Sequence, residues 1–340
     1  MNKIDHIDIR DHIVGKVLNE NIINKIELLI RKTEEDMKSM KGDVKKSNSF
    51  RLIQFKKALD GIKHCNYEIK TYIDARKING IGDGIAKRIV EIINTGTLAE
   101  LQQEHILTKE DKALKDLCSV SGIGEVRAIE YIKMGITSIS GLINAIKNKK
   151  IKPTHHILIG LKYYDDINER IPREEIVKIE LAMKESLKKY DITINICGSY
   201  RRLLNDSGDI DVLMSSPNDN INLTNIIEEL KKDKIIIDDL TMNGNTKYMG
   251  ICKSSNNNAK GRRIDIRMVK NEQYYPALLY FTGSANHNKI MRQIAVVSGY
   301  KLNEYCLMDQ DGIPIKNIKS EKDIYDILKI VYLEPHERNL

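Results

Sequence analysis

The sequence predicts an α+β protein with a helical N-terminal part, a mixed β-sheet with helices, and a small α/β C-terminal part. Apolar residues recur at helical spacing through residues 17–40 and 49–63 and again through 159–164, and residues 171–175 start another helix. From about Ile192 to Val269 they mostly alternate with polar residues at period two, as in strands with one buried face. One helix, at residues 224–232, interrupts these strands.

Composition places the chain among ordinary globular proteins. Its 340 residues are enough for two or more domains, and a hydrophobic fraction of 41% provides a normal core. Lys and Arg number 55 against 48 Asp and Glu, which gives a formal net charge of +7. This excess favours a polyanionic partner without proving one, because an ordinary basic protein has the same balance.

Cysteine usage and hydropathy indicate the cellular compartment. The 5 cysteines show no C-x-x-C spacing, which is typical of reduced thiols in an intracellular protein, and the 8 histidines show no zinc-ligand spacing. No apolar stretch is long enough for a membrane helix, and the N-terminus lacks the apolar core of a signal peptide. We therefore expect a soluble, intracellular protein.

Two short glycine turns lie between predicted helices. Gly80-Ile81-Gly82 forms the first and Gly122-Ile123-Gly124 the second. Glycine permits positive φ and close approach of a ligand, and the following helix directs its N-terminal N–H groups at an anion. One such turn is commonly a plain helix cap, but two copies in a basic chain favour a clamp on DNA phosphates that reads no base.

A polar linker at residues 148–153 follows the second turn. Further along the chain, a third glycine turn is suited to binding an anion. Residues 192–197 read as a half-buried strand that Gly198-Ser199 breaks, which allows backbone N–H groups to turn toward a phosphate. Arg202 adds a planar fork for phosphate oxygens. The segment predicts an anion-binding turn at the start of the next element.

Three aspartates on two predicted strands form the candidate metal site. Asp209 and Asp211 share one face of a strand, and Asp265 lies on another alternating strand at 262–267. If the two strands are neighbours, three carboxylates converge, and two divalent ions can clamp an attacking oxygen and a leaving pyrophosphate. A lone D-x-D is usually a solvated strand end, but this combination with an anion turn makes that interpretation improbable.

These motifs together resemble the family X DNA polymerases, in particular the beta type. The resemblance covers the chain from about residue 17 onward and is looser in the N-terminal quarter. The matching segments are GSYRR (198–202), SGDIDVL (207–213), TKYMG (246–250), RRIDIR (262–267), QYYPALLYFTGS (273–284), NEY (303–305), SEKDI (320–324), GLKYYDDINERIPREE (160–175) and VSGIG (120–124).

The resemblance implies a four-part enzyme. Its parts are an N-terminal lyase-type, 5′-phosphate-binding domain with the first helix-hairpin-helix motif (1–103), a DNA-binding helical subdomain with the second (104–172), a catalytic nucleotidyltransferase palm (173–271), and a thumb-like subdomain that binds the nascent base pair (272–340). The implied activity is DNA-directed synthesis that fills short gaps in base excision repair, by two-metal transfer from dNTP to a primer 3′-OH.

The resemblance also assigns roles to individual residues. Asp209, Asp211 and Asp265 are the implied metal ligands and catalytic residues, with Asp265 nearest the primer 3′-OH. The implied dNTP-binding residues are Arg170, Ser199, Arg202, Gly208, Tyr280, Phe281, Gly283 and Asn288. The implied DNA contacts are Gly80, Gly82, Gly122, Gly124, Lys247, Arg263, Lys289 and Arg292. Backbone carbonyls of Arg76, Ile78, Ile81, Cys118, Val120 and Ile123 fall at monovalent-cation positions.

The implied cofactors are two Mg²⁺ per active site, for which Mn²⁺ is an expected substitute, and K⁺ or Na⁺ at the hairpin turns. The expected partners are gapped or nicked double-stranded DNA, dNTPs and a repair ligase, with the chain acting as a monomer away from membranes. A cellular enzyme of this kind belongs in the nucleus and a viral one in the cytoplasm or virion, and the sequence does not decide between them.

Two positions depart from the family pattern. Arg88 stands where lyase-active members carry the Schiff-base lysine, and arginine stays protonated and cannot be that nucleophile. Gly84 and Glu100 replace supporting lysines. We therefore expect weak or absent deoxyribose-phosphate lyase activity, with Arg51, Lys57, Lys87 and Arg88 still binding a 5′-phosphate. Ala285 replaces an acidic residue against the incoming base, which predicts a raised KM for dNTP.

Two rival functions stay open at this point. The first is a template-independent nucleotidyltransferase on the same palm. Terminal-transferase members carry a long extra loop near the template; no clear counterpart appears in this sequence, although the Asn-rich, predicted mobile loop at 254–260 is the place to look. The second is a DNA-gap-binding protein with an inactive site. Loss of an aspartate would have favoured that second function, and the sequence retains all three.

Overall fold

The structure, a computed structural model, describes residues 19–39, 42–65, 67–102, 109–217, 221–241, 244–254 and 259–340. The chain divides into two compact units, Met1–Ile106 and Leu107–Leu340. The α+β class and the mixed sheet predicted from the sequence are confirmed. Among the described residues, no helix combines the length and the apolar character that crossing a membrane requires.

The first unit is helical around a core of isoleucines and leucines. Ile26, Ile62, Ile89 and Ile92 are fully buried and pack in this core with Phe55. They come from three helices, so the amphipathic spacing seen in the sequence produces one shared apolar centre. The helices are α1 (Glu20–Ser39), α2 (Gly42–Lys63), α3 (Tyr72–Arg76), α4 (Asp83–Thr95) and α5 (Ala99–Gln102).

Each glycine turn joins two helices as the sequence predicts, but only its first glycine needs positive φ. Gly80 has φ +88° and Gly122 has φ +94°. Gly82 and Gly124 precede the next helix with φ −85° and −91°, in extended backbone open to most residues. Adding a Cβ at Gly82 or Gly124 would meet nothing within 4 Å. The second glycine of each turn therefore leaves open space beside the helix N-terminus instead of relieving backbone strain.

The second unit begins with short helices around their own core of residues such as Leu117, Val120 and Leu142. The second glycine turn lies between the first two of them. Thr154 caps the fourth helix by accepting a hydrogen bond from the Ile157 N–H at 3.3 Å. The helices are α6 (Lys109–Cys118), α7 (Glu125–Lys133), α8 (Ile139–Lys147), α9 (His155–Lys162) and α10 (Tyr164–Asn168).

A five-stranded mixed sheet forms the centre of this unit. Its order is β2-β4-β7-β6-β5, with β4 and β7 parallel and the other neighbours antiparallel. Alternate residues such as Ile210, Val212, Ile264 and Ile266 are buried on one face, under α11 and α13. The elements are β1 (Ile171–Pro172), α11 (Arg173–Ser186), β2 (Thr193–Ile196), α12 (Gly198–Arg201), β3 (Asp206–Ser207), β4 (Ile210–Ser216), α13 (Leu223–Lys232), β5 (Ile236–Asp239), β6 (Lys247–Cys252) and β7 (Arg262–Lys270).

The last part of the unit packs α14 against the other face of the sheet. Leu213, Ala277 and Leu278 lie in this interface. Ser284 caps α15 by accepting from the His287 N–H at 3.2 Å, and Ser320 and Asp323 form a capping box on α16. The elements are α14 (Tyr274–Thr282), α15 (Ala285–Val297), β8 (Lys301–Leu302), β9 (Leu307–Met308) and α16 (Glu321–Ile327).

Some predicted boundaries are wrong. The second helix begins at Gly42 and not near Ser49, and the anion turn itself begins a short helix, α12 (Gly198–Arg201), where only strands were expected. Asp209 precedes β4, because Asp206–Ser207 pairs with Ile171–Pro172 and the chain turns before the long strand starts. Of the loop at 254–260, residues 255–258 lie outside the described residues, as do Val17 and Met40.

Candidate active site

Three carboxylates meet at the same end of the central strands β4 and β7. Parallel pairing places Asp211 directly opposite Asp265, and Asp209 lies one residue before β4. One oxygen from each of the three lies within 4.8 Å of the others. The predicted convergence of the three carboxylates, which required the two strands to be neighbours, is therefore present.

Burial and mutual repulsion make this cluster electrostatically costly. Burial, with the nearby Asp209 and Asp265 carboxylates, raises the pKa of Asp211 to about 7. Burial raises the pKa of Asp265 as well, with Arg263 acting against it. Oδ1 of Asp265 is buried and has no hydrogen-bond partner in the part of the chain that the structure describes. Three close oxygen donors whose negative charge is only partly compensated fit a hard divalent cation.

Arg263 supplies positive charge that partly compensates the three carboxylates. Its guanidinium forms an ion pair with Asp209. The family resemblance placed Arg263, which shares a strand face with Asp265, among the DNA contacts. In the structure it neutralises the Asp209 carboxylate. The Arg263 Nε is itself buried without a hydrogen-bond partner among the described residues.

The anion turn packs directly on the carboxylates. Gly198 has φ +57°, and a Cβ built there would lie 2.4 Å from Oδ2 of Asp211. A side chain at this position would push the carboxylate out of place. Glycine is therefore required twice, for its backbone conformation and for the close approach. The Ser199 hydroxyl donates to the Ser207 hydroxyl at 2.8 Å, which links this turn to β3.

Arg202 is held by residues far away in the sequence. Its Nη1 donates to the Thr282 carbonyl at 2.6 Å and its Nε to Oδ1 of Asn339 at 2.8 Å. A Cβ on Gly283, which has φ +67°, would lie 3.2 Å from the same Nη1. The guanidinium is thus fixed between the end of α14 and Asn339.

Arg170 and Gly208 are close neighbours. A Cβ on Gly208 would lie 3.2 Å from the Arg170 Nη1. The same guanidinium donates to Oδ1 of Asp206 through Nε at 2.9 Å and Nη2 at 2.5 Å. Asp206 therefore orients one of the predicted triphosphate ligands.

Some of the predicted nucleotide and template residues line two clefts. Lys247 and Phe281 line the cleft that contains Asp211 and Asp265. The other cleft is lined by residues of α14 and α15: Tyr280, Asn288 and Arg292, with Pro276, Leu279, Met291, Leu302 and Asn303. Asn288 donates to the Tyr280 carbonyl at 2.7 Å, and the Arg292 guanidinium lies 5.1 Å from the centre of the Tyr280 ring. Lys289 is exposed.

Three of the six hairpin carbonyls predicted to bind a cation already accept a hydrogen bond. In the first turn, the Ile81 carbonyl accepts from Nη1 of Arg76 at 2.5 Å, and the Ile78 carbonyl accepts from the Ile81 N–H at 3.2 Å. In the second turn, the Val120 carbonyl accepts from the Ile123 N–H at 3.0 Å. Each carbonyl has a second lone pair, so these bonds do not exclude a cation.

His156 supports the second turn, a role that the sequence did not indicate. Its Nε2 lies 2.9 Å from the Ser121 hydroxyl, and its ring is 3.0 Å from a Cβ built on Gly122. Sequence reasoning also missed Asp206, Thr282 and Asn339. Asp206 directly precedes the SGDIDVL segment (207–213) and could have been found beside it, whereas Asn339 lies 137 positions from Arg202 and carries no local signal.

Four family models match consecutive parts of the chain. They are described as a helix-hairpin-helix domain (residues 25–98), the fingers domain of DNA polymerase lambda (115–168), the DNA polymerase beta palm (170–271) and the DNA polymerase beta thumb (277–339). The carboxylate cluster lies inside the palm match. The chain belongs to the family X DNA polymerases. This family uses divalent metal, and the three carboxylates fit one. Models of both the beta and lambda types match, so the beta-type branch stays a prediction.

Curated relatives share the family over most of this chain. A DNA polymerase lambda of Rattus norvegicus is 29% identical over 94% of the chain, and one of Arabidopsis thaliana is 29% identical over 85%. A "DNA polymerase/3'-5' exonuclease PolX" of Bacillus subtilis (strain 168) is 26% identical over 88%. The alignments cover 56%, 58% and 52% of these relatives, so the chain spans little more than half of their length.

Proposed function

We propose that the chain is a DNA-directed DNA polymerase that fills short gaps by transferring a nucleotide from dNTP to a primer 3′-OH. The observation that carries this proposal is the carboxylate cluster, in which three aspartate oxygens lie within 4.8 Å of one another beside an anion turn. Such a cluster on a family X palm suits phosphoryl transfer, in which catalysis is mainly positioning and neutralisation of charge.

The three carboxylates have two roles in the proposed reaction. Asp209, Asp211 and Asp265 would together hold two Mg²⁺ ions, and Asp265 has a further role toward the primer. Bound Mg²⁺ supplies charge neutralisation at the attacking and leaving oxygens. Asp265, whose Oδ1 has no hydrogen-bond partner among the described residues, accepts the proton of the primer 3′-OH as that oxygen attacks the α-phosphate.

In this proposal the groups around the anion turn bind the triphosphate. Arg202 and Arg170 offer guanidinium forks to phosphate oxygens, and Ser199 and the Gly208 backbone offer hydrogen-bond donors. Thr282 and Asn339 keep Arg202 in place before the nucleotide arrives. In this proposal Tyr280, Phe281 and Gly283 face the sugar and Asn288 the nascent base pair.

The two hairpins bind DNA backbone, with K⁺ or Na⁺ at their carbonyls. Gly82 and Gly124 leave open space for a phosphate at helix N-termini, which supports contacts that ignore base sequence. All three carboxylates and the triphosphate ligands belong to one unit of a single chain, which supports a monomeric enzyme. Its product is a nick with a 3′-OH, so a ligase must act next.

Lyase activity is not part of this proposal. The Arg88 guanidinium, which replaces the expected lysine, is engaged by Glu100 at 2.5 Å and by the Gly84 carbonyl at 2.9 Å. Lys87 is exposed on the same helix. We infer that the N-terminal domain recognises a 5′-phosphate without cleaving the sugar.

Replacing Asp265 by Asn tests the proposed chemistry. The amide keeps the size of the side chain but cannot accept the proton, so we expect single-nucleotide insertion to fall about 10²–10⁴-fold. Gap affinity should stay within a factor of about two, because Asp265 is no DNA phosphate ligand. Rapid-quench insertion and fluorescence anisotropy measure the two. Asp311→Asn, at an exposed carboxylate, is the matched control. Undiminished insertion by Asp265→Asn would overturn the assignment.

A further inference from the structure

An arginine–carboxylate cluster in the N-terminal unit has no role in the chemistry above. Nη2 of Arg88 lies 2.5 Å from Oε1 of Glu100, and Nη2 of Arg51 lies 3.2 Å from Oε2 of the same side chain. Each oxygen of one carboxylate is thus held by a different guanidinium. Two arginines converge on a single planar oxyanion.

An aromatic ring and a backbone hydrogen bond hold the cluster in place. The guanidinium carbons of Arg51 and Arg88 lie 5.7 and 5.5 Å from the centre of the buried Phe55 ring, within cation–π range. The Lys32 ammonium donates to the backbone carbonyl of Glu100, which anchors that residue on α5. The arginines are therefore positioned by contacts that do not depend on the Glu100 carboxylate alone.

Converging guanidiniums suit a phosphate better than a carboxylate. A terminal phosphate monoester carries up to two charges and three acceptor oxygens, and arginine forks match that geometry. Nε of Arg88 is buried and finds no hydrogen-bond partner within the described ranges, so the cluster keeps one donor that the carboxylate does not use. An oxyanion with a third oxygen can reach more of these donors.

The carboxylate is held loosely enough to leave. The side chains of Arg51 and Glu100 are 47% and 41% exposed. The Arg88 side chain is less exposed, at 22%, but the Glu100 carboxylate itself reaches solvent, and ion pairs with solvent-exposed carboxylates contribute little to stability. Rotation of the Glu100 side chain into solvent would expose both guanidiniums without moving the helices.

We propose that Glu100 is a resident competitor for the anion site of Arg51 and Arg88, which a terminal 5′-phosphate of gapped DNA occupies only by displacing the Glu100 carboxylate. This rests on the proposed function, because it assigns the site to the gap that the polymerase fills. Glu100 then sets how strongly the protein prefers a 5′-phosphorylated gap over a gap that ends in a 5′-hydroxyl.

Replacing Glu100 by Gln in the full chain tests the competition. The probe is a one-nucleotide gapped duplex with either a 5′-phosphate or a 5′-hydroxyl, titrated by fluorescence anisotropy at fixed salt without dNTP. We expect affinity for the 5′-phosphate gap to rise about three- to tenfold, with the 5′-hydroxyl gap changing less than about twofold. In an Arg88→Ala background the same Glu100→Gln change should give no selective gain.

Glu34→Gln is the matched control. It removes the same charge from the same unit at a residue that pairs with Lys56 and not with either arginine. An equal gain on both DNAs, or no gain on the 5′-phosphate gap, overturns the competition. Insertion measured on the same samples separates this result from the proposed function: active insertion with no phosphate-selective gain rejects only the role of Glu100, whereas absent insertion rejects the polymerase assignment.

Discussion

Asp211 is the residue on which the electrostatics of the candidate site concentrate. It lies opposite Asp265 in the parallel pair, against Gly198 of the anion turn, and its pKa is raised to about 7 by burial and by two neighbouring carboxylates. In the unfolded chain its pKa is close to 3.8. Between these values the unfolded state holds fewer protons than the folded one, so the stability of the metal-free protein falls as pH rises.

Asp211→Asn should therefore stabilise the metal-free protein above pH 7. We expect a gain in unfolding free energy on the order of 2 kcal/mol at pH 8 and a smaller gain at pH 5, where folded wild-type Asp211 is mostly protonated. Urea unfolding in a chelator at both pH values measures the difference. Added Mg²⁺ should stabilise wild type at pH 8 and leave this variant nearly unchanged.

Asp311→Asn is the control for this pH dependence, because it removes an exposed carboxylate outside the cluster. Its effect should be within about 0.5 kcal/mol at either pH. If Asp211→Asn behaves like Asp311→Asn, the cluster does not store the charge repulsion that a metal would relieve.

At the scale of elements, the hairpins separate two uses of glycine. Gly122 combines φ +94° with a Cβ position 3.0 Å from the His156 ring, whereas Gly124 has ordinary φ and open space. The first glycine serves the fold of the turn. The second leaves the N-terminus of α7 accessible, which is the position that a phosphate would occupy.

Alanine at these two positions should therefore give different defects. Gly122→Ala should cost about 1–3 kcal/mol of stability through backbone strain and the His156 contact. Gly124→Ala should cost less than about 1 kcal/mol yet weaken binding to duplex DNA severalfold, because its methyl group crowds the phosphate. Urea unfolding and anisotropy report the two effects. Equal stability losses, or unaltered DNA binding by Gly124→Ala, would contradict the division.

Periodicity could predict the strands of the site but not their pairing. Alternation in 209–213 and 262–267 correctly separated the carboxylates from Ile210, Val212, Ile264 and Ile266, because a strand turns successive side chains to opposite faces. The parallel pairing of β4 and β7 depends on the arrangement of the whole sheet, which local patterns do not determine. The sequence could therefore predict convergence of the carboxylates only on the condition that these two strands are neighbours. The short helix α12 was missed because four residues are too few to show a helical period.

At the scale of the whole molecule, the contacts that sequence could not predict are the long-range ones. Arg202 and Asn339 meet across 137 positions and Arg51 and Glu100 across 49, through side chains with no local pattern. The sequence indicated the loss of the lyase lysine at Arg88. It could not indicate that Glu100 would occupy the arginines, because two compatible charges far apart in a chain do not reveal that they touch.

The most direct test of the account uses a one-nucleotide gapped DNA that carries a 5′-deoxyribose phosphate, with Mg²⁺ and each dNTP in turn. Insertion and sugar release are followed in the same tube, and a parallel reaction omits the template strand. We predict insertion of the complementary nucleotide, no sugar release, and no product without template. Absence of insertion by folded, DNA-bound protein, or insertion without template, would contradict the polymerase assignment; sugar release would contradict the loss of lyase function at Arg88.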